Sequence, residues 1–258
     1  MNTIERKLNG NILVDTCDTV ETQVETQVET QDTCDTVETQ VTNNINIRKD
    51  VLRIANTKRP PDCGLIVIDN FYNNALDTRN FVLTQDFGVK GNYPGQRTIS
   101  FANEHLKEAI QKYVEPFGGK IVEFPIPKPD LSDASTIYNG AFQYTTSRDR
   151  SWVHVDSWNN WAGVLFLTPD APLSAGTAFY RFHDGTTNEA DNKLLNNKSE
   201  TDNYSQDLTK WEMVDRAGNV FNRLILFNSH RYHMSMDYFG DSKENGRLFQ
   251  VFFFTTER

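Results

Sequence analysis

The sequence has few cysteines, few basic residues and no long apolar run. Three cysteines in 258 residues make no disulfide framework and match no zinc-ligand spacing. Lys and Arg number 26 against 35 Asp and Glu, a net charge of −9, whereas a nucleic-acid surface needs a clustered positive excess. No stretch approaches the ~20 apolar residues that span a bilayer, and the opening MNTIERKLNGNILV lacks the apolar core of a signal peptide. These absences lead to the expectation of a cytoplasmic protein with neither a membrane nor a nucleic-acid partner. What remains is the composition of a globular chain, long enough to bury roughly 70% of its unfolded surface around one large core.

The negative charge is unevenly spread. DTCDTVETQ occurs at 15–23 and again at 32–40, and the tetrad VETQ repeats in tandem between the copies. Residues 15–40 carry eight acidic side chains and no basic one, and residues 1–14 carry +1, which leaves −2 for 41–258. Valine every fourth residue drifts around a 3.6-residue helix and forms no stable stripe. Alternation of Val and Thr with Glu and Gln would allow a weak strand. Low hydrophobicity with uniform charge instead favours disorder, so the expectation is a disordered acidic tail over 1–50 and one folded domain over 51–258. Cys17 and Cys34 belong to the repeat.

In the body, Leu65-Ile-Val-Ile-Asp-Asn-Phe71 reads as a buried strand. A helix is expected from about Asn74 to before Gly88. A stronger one is expected from Asn103, with Leu106, Ala109, Ile110, Tyr113 and Val114 on one face, stopped by Pro116 and Gly118-Gly119. Helical periodicity then ends. Short β-rich runs follow at 120–124, 137–145, 152–156, 161–167, 177–182, 221–227 and 248–255. Strands in succession without intervening helices predict an antiparallel sandwich or barrel, with the helices packed on one outer face. The polar stretch 184–216 reads as a long loop, of the kind that serves as a lid.

Four of the five histidines fall between 154 and 233. In Ser-Trp-Val-His154-Val-Asp156-Ser-Trp, strand alternation would point His154 and Asp156 to one side. With a third ligand from another strand they would make a two-histidine, one-carboxylate triad that leaves one face of an Fe(II) ion open. A histidine hydrogen-bonded at a strand end is the simpler reading of His154. Asn222-Arg-Leu-Ile-Leu-Phe-Asn-Ser-His230-Arg-Tyr-His233 offers two candidates for the third ligand. Arg247 opens an apolar strand, where an unpaired guanidinium is costly to bury. Pointing inward, it would need a carboxylate, which a dicarboxylate co-substrate could supply to both arms of the fork. Pointing outward, it would be a surface arginine. His183-Asp184 is a weaker pair, because adjacent strand residues face opposite ways.

The order H-x-D, distal His, then Arg on the next strand resembles the Fe(II)/2-oxoglutarate-dependent oxygenases. Trp161-Ala-Gly-Val-Leu-Phe-Leu, Gly176-Thr-Ala-Phe-Tyr180, Lys210-Trp-Glu and Asn222-Arg-Leu-Ile-Leu-Phe-Asn-Ser look like successive strand motifs of one uncharacterised branch of that superfamily. Ile68-Asp69-Asn70-Phe71 and the Tyr93-Pro94-Gly95 turn belong to the same pattern, which covers about 64–254. The resemblance implies an α+β fold, a double-stranded β-helix (jelly roll) with helices on one face, behind the disordered repeat tail. It selects His233 over His230, so His154, Asp156 and His233 would bind Fe(II) and Arg247 would hold the distal carboxylate of 2-oxoglutarate. With O2 the pair would oxidise a C–H bond of a small-molecule or peptide substrate while releasing succinate and carbon dioxide.

The resemblance further implies a co-substrate hydrogen bond from Gln143 or Tyr144, with core packing the competing role for Tyr144. Trp158 and Trp161 would wall the pocket or fill the core, and Thr177 and Tyr180 read as strand packing. Two alternatives stand beside the oxygenase. One is a cupin-like metal enzyme that does not use 2-oxoglutarate, and the other is a non-catalytic jelly-roll module in which the three ligands never converge.

Overall fold

A computed structural model describes residues 63–156, 158–189 and 198–257. The acidic repeat, Cys17, Cys34 and the expected boundary near residue 50 lie outside the described residues. The elements are β1 (Leu65–Ile68), α1 (Ala75–Leu83), β2 (Gln96–Ser100), α2 (Glu104–Gly118), β3 (Ile121–Glu123), β4 (Ala141–Thr145), β5 (Trp161–Phe166) and β6 (Thr177–Phe182). After them come α3 (Lys198–Asn203), a 3-10 turn (Leu208–Lys210), β7 (Trp211–Ala217), β8 (Leu224–Asn228), β9 (His233–Ser235) and β10 (Arg247–Thr256).

Two antiparallel sheets form the fold. The larger has the order β1-β8-β5-β10-β4-β2, with β3 on the far end of β10, and the smaller is β7-β6-β9. Alternation along the strands of the larger sheet sends one set of side chains to each face. Leu165, Leu224, Leu226, Leu248, Phe252 and Phe254 join Val82 of α1 and Leu106, Ile110 and Val114 of α2 in one cluster. Ala162, Phe166, Ile225, Phe227, Phe249 and Val251 join Phe179 and Ala217 of the smaller sheet in another. The long strand β10 therefore contributes to both layers. On its other side β6 buries Ala178, Tyr180 and Phe182 against Trp211 and Tyr232.

Local chemistry sets the boundaries. The Asn103 side chain accepts from Leu106 N at 2.9 Å and caps α2. That helix runs through Pro116 to Gly118, and Gly119 at φ 78° donates its N–H to Glu115 O. Its buried stripe is narrower than the sequence suggests, because Tyr113 is 41% exposed. Helix α1 ends at Leu83 with Thr84 as its cap, five residues before Gly88. On the edge of the larger sheet, Arg223 grips Asp69 with both arms, Nε–Oδ1 at 2.6 Å and Nη2–Oδ2 at 3.0 Å.

Three departures from the sequence reading have physical causes. The 152–156 run is no strand, only a single bridge between His154 and His233. The polar stretch 184–216 contains α3, the 3-10 turn and most of β7, which pairs with β6 from Phe182↔Trp211 to Thr177↔Ala217. Strand β7 buries only its two end residues, so an edge strand leaves no apolar alternation to read. Strands β2 and β9 escape for a different reason: they are short and rich in polar residues that are nevertheless largely buried, so they carry no apolar run to read. Among the described residues no helix is long and apolar enough to cross a membrane.

Candidate metal centre

The smaller sheet and the connection between β4 and β5 bring three ligand-type side chains together. His154 and His233 exchange backbone hydrogen bonds, His154 N to His233 O at 3.0 Å and His233 N to His154 O at 2.9 Å. Two residues on, Asp156 N donates to Ser229 O at 2.8 Å. The loop is thereby zipped to the 229–233 segment, and His154, Asp156 and His233 turn to one point. Asp156 Oδ1 lies 3.9 Å from His154 Nε2 and Oδ2 lies 3.3 Å from His233 Nε2. All three ligand atoms fall within 4.8 Å of one another.

The tautomers follow from the other ring nitrogens. His154 Nδ1 is 2.9 Å from Trp152 O, and His233 Nδ1 is 2.9 Å from Arg231 O. A carbonyl can only accept, so each Nδ1 donates to it and each Nε2 is the ring atom turned to the shared point. Burial, with His233 beside it, pushes His154 down to about 4, although a third of its side chain (34%) opens onto the cavity. His154 is therefore neutral at pH 7. Burial alone would raise Asp156, but the hydrogen bond and charge of His233, with His154 and Arg97, outweigh it and hold the carboxylate below its usual range. A neutral imidazole and an ionised carboxylate are the donor states a divalent ion requires.

The centre opens into a cavity of about 340 Å³. Gln143 lines it but is already engaged: its Oε1 accepts from Arg97 Nε at 2.9 Å and from Nη2, and its Nε2 donates to Pro94 O. Tyr144, the next residue on β4, faces the helices instead, with its ring 5.0 Å from Phe87 in an edge contact. Its expected co-substrate contact is corrected here, since alternation turns neighbours to opposite faces. Trp161 is core, stacked on Phe254 with Nε1 donating to Thr256 Oγ1. Trp158 lines the cavity and is 76% exposed. His183 faces Glu200, and His230 faces Glu189, so neither joins the cluster.

Arg247 is wholly buried. Its Nε donates to Ala175 O at 2.9 Å and Nη2 to Gly176 O at 3.3 Å, while Nη1 has no partner among the described residues. Burial lowers it to about 10, so it stays charged at neutral pH. Thr145 lies opposite it on β4, and the hydroxyls of Thr145 and Thr177 are also buried without partners among the described residues. The sequence reading did not include these two threonines as binding groups. It also missed Arg97, which lines the cavity from β2. The available signal for Arg97 was its position two residues after the Tyr93-Pro94-Gly95 turn.

Comparison with known proteins gives a family and a fold. The model of a family of unknown function, DUF6445, matches residues 46–254. The crystal structure of HygX from Streptomyces hygroscopicus, with nickel, 2-oxoglutarate and hygromycin B bound, is similar at a TM-score of 0.50 and 11% identity, over 75% of this chain and 83% of that one. A Trichoplax adhaerens prolyl hydroxylase in complex with a hypoxia inducible factor peptide fragment matches more loosely, at a TM-score of 0.36 and 15% identity over 83% and 92%. So does the Fe(II)/(alpha)ketoglutarate-dependent dioxygenase TqaL, at 0.38 and 11% over 81% and 86%. No curated protein matches the chain. The likeness to HygX is one of fold, and it supports the expected jelly-roll form of the two mostly antiparallel sheets.

Proposed function

We propose that the chain, which belongs to the DUF6445 family of unknown function, is an Fe(II)- and 2-oxoglutarate-dependent oxygenase acting on a C–H bond of a small-molecule or peptide substrate. The observation that carries this reading is the convergence of His154, Asp156 and His233, with each Nδ1 engaged by a backbone carbonyl and each Nε2 turned to one point. Two nitrogens and one carboxylate oxygen suit Fe(II) and leave coordination positions open, unlike the closed thiolate sets of structural zinc.

The chain also fits the keto acid. His233 lies opposite Phe179 on β6 and Ser235 opposite Thr177, while Arg247 bonds the carbonyls of residues 175 and 176. About three residues of strand, roughly 10 Å, separate the level of His233 from that of the guanidinium, which suits a short dicarboxylate lying between a metal and an arginine. Arg247 Nη1 and the hydroxyls of Thr145 and Thr177 are buried donors without partners among the described residues, and an incoming carboxylate would satisfy them. In the solved structure that shares the fold, HygX, nickel and 2-oxoglutarate are bound.

When bound, Fe(II) with 2-oxoglutarate and O2 supplies the oxidising power, and the keto acid leaves as succinate and carbon dioxide. The chain's own part is to hold and orient. The carbonyls of Trp152 and Arg231 fix the imidazoles, Asp156 brings the negative charge, and Phe227 packs its ring edge to face with His233 at 4.7 Å, excluding water from that side. A cupin-like enzyme without 2-oxoglutarate would have no use for a buried, unpaired arginine. A non-catalytic module would have no use for three converging ligands.

The test is turnover and binding. Purified protein with Fe(II), ascorbate and 2-oxoglutarate should release succinate slowly without substrate, and His154→Ala should abolish it. If calorimetry with Mn(II) present detects no 2-oxoglutarate binding, the reading fails.

A further inference from the structure

A second buried arginine, Arg97, lines the cavity onto which the His154, Asp156 and His233 cluster opens. The Tyr93-Pro94-Gly95 turn is held by Gly95 at φ 77°, where a Cβ would meet the Tyr144 carbonyl oxygen at 2.0 Å, and by Gly95 N donating to Asp149 Oδ1 at 3.1 Å. The turn delivers Arg97 onto β2 opposite Gln143. Arg97 is only 5% exposed, yet it lines the cavity. Gln143 fixes one edge of the guanidinium, and the amide is itself fixed by its bond to Pro94 O. The flat face lies 3.7 Å from the centre of the Tyr93 ring and 5.0 Å from that of Tyr138.

All of these partners are neutral. Among the described residues no carboxylate comes within ion-pair distance of Arg97; Asp156 of the metal centre acts on it only at longer range. A buried cation held rigidly by neutral groups is costly unless an anion completes it. Its Nη1 makes no hydrogen bond with any described group. Arg247 is a separate seat: it lies opposite Thr145 on β10, whereas Arg97 lies opposite Gln143 on β2, the strand on the other side of β4. The two arginines can thus hold two different carboxylates. The rim beyond Arg97 is aromatic. Trp152 and Trp158 line it together with Tyr138, and an indole left 76% exposed there is apolar surface that a ligand could cover.

We propose that Arg97 binds a carboxylate of the substrate, and that the substrate is a small carboxylate with a flat, apolar body that rests on Trp152 and Trp158. The proposal rests on the oxygenase reading for calling this molecule the substrate. The carboxylate seat stands on the cavity alone. It makes Arg97 a specificity-determining residue and Gln143 the residue that positions it.

The experiment titrates the full chain, loaded with Mn(II) and 2-oxoglutarate, with phenylacetate and with its uncharged analogue phenylacetamide, following tryptophan fluorescence and heat. Phenylacetate should bind and phenylacetamide should not. Arg97→Gln should weaken phenylacetate at least about tenfold, the loss of a charge-assisted hydrogen bond, with 2-oxoglutarate affinity unchanged. Should that variant fold poorly, Arg97→Lys, which keeps the charge and loses the fork, should weaken phenylacetate without changing the melting temperature. Equal binding of phenylacetate by wild type and the variants, or no binding by wild type, overturns the proposal. Loss of 2-oxoglutarate rather than phenylacetate in Arg97→Gln also overturns it, because Arg97 would then serve the co-substrate. If wild type binds phenylacetate through Arg97 but never binds 2-oxoglutarate, the carboxylate seat survives and the oxygenase reading falls.

Discussion

The two faces of the larger sheet are built from alternate residues of the same strands and do opposite work. Toward the helices, β4 and β10 present Phe142, Leu248, Phe252 and Phe254, and Ile110 and Val114 of α2 close the layer with no exposure at all. Toward the smaller sheet the same two strands present Gln143, Thr145 and Arg247 among Phe249 and Val251. One face spends its area on apolar burial, roughly 1.5–3 kcal/mol for each large side chain. The other gives up some of that gain to hold buried polar groups, two of which, Thr145 and Arg247, have an atom left unpaired among the described residues. A period of two residues lets one strand pack an apolar layer on one side and present buried polar groups on the other.

If this division is right, changes on the two faces should separate into effects on binding and effects on stability. The largest effect is expected at the ligand cluster. His154→Ala should reduce Mn(II) or Fe(II) affinity by more than about 100-fold, since even the partners behind metal ligands cost 10–100-fold when lost. Its metal-free melting temperature should stay near that of wild type. A large loss of metal-free stability with metal binding intact would break the comparison. On the helix face, Ile110→Ala should cost about 2–5 kcal/mol in denaturant unfolding and leave the 2-oxoglutarate affinity of the folded protein unchanged. A selective loss of affinity there would show that the faces are coupled.

Arg247→Lys should weaken 2-oxoglutarate about tenfold or more in calorimetry, because an ammonium cannot serve two backbone carbonyls and a carboxylate in one plane. Affinity equal to wild type would remove Arg247 from the site. The smallest effect is expected at the sheet edge, far from both layers. Asp69→Asn should cost less than about 1 kcal/mol, as exposed ion pairs do. The Arg223 hydrogen bond holds Asp69 below 3.8 against the smaller opposing effect of burial. The stabilisation is therefore complete above pH 3.8 and is lost as pH falls through the lower folded value. Wild type and Asp69→Asn should converge in stability in acid; a difference that persists there would mean the pair acts through packing.

Legibility in the sequence followed the strength of the apolar signal. Strands β1, β5, β6, β8 and β10 carry runs such as Leu224-Ile-Leu-Phe, and α2 carries both a cap at Asn103 and a buried stripe, so these could be found from residues alone. Strand β7 could not, because Glu212, Met213, Val214, Asp215 and Arg216 are all exposed on an edge. The ligand types His154, Asp156 and His233 and the unusual position of Arg247 were visible as well. The strand assumed beneath His154 and Asp156 is absent, but their backbone bonds to His233 and Ser229 turn both to the same side. Alternation decided the choice between Gln143 and Tyr144, and it sent Tyr144 to the helices.

The sequence by itself determined the chemistry available: two histidines and an aspartate in the order of a metal triad, an arginine opening an apolar strand, and nearly all the net charge confined to 15–40. Only the tertiary structure decided how these groups meet. The convergence of the imidazoles depends on the bridge that pairs residues 154 and 233, the setting of Arg247 depends on the carbonyls of Ala175 and Gly176 just before β6, and Arg97 enters the cavity because a glycine turn feeds an edge strand beside Gln143. Each of these is a contact between segments distant in sequence, and local pattern has no means of encoding which side chains a folded sheet will bring face to face.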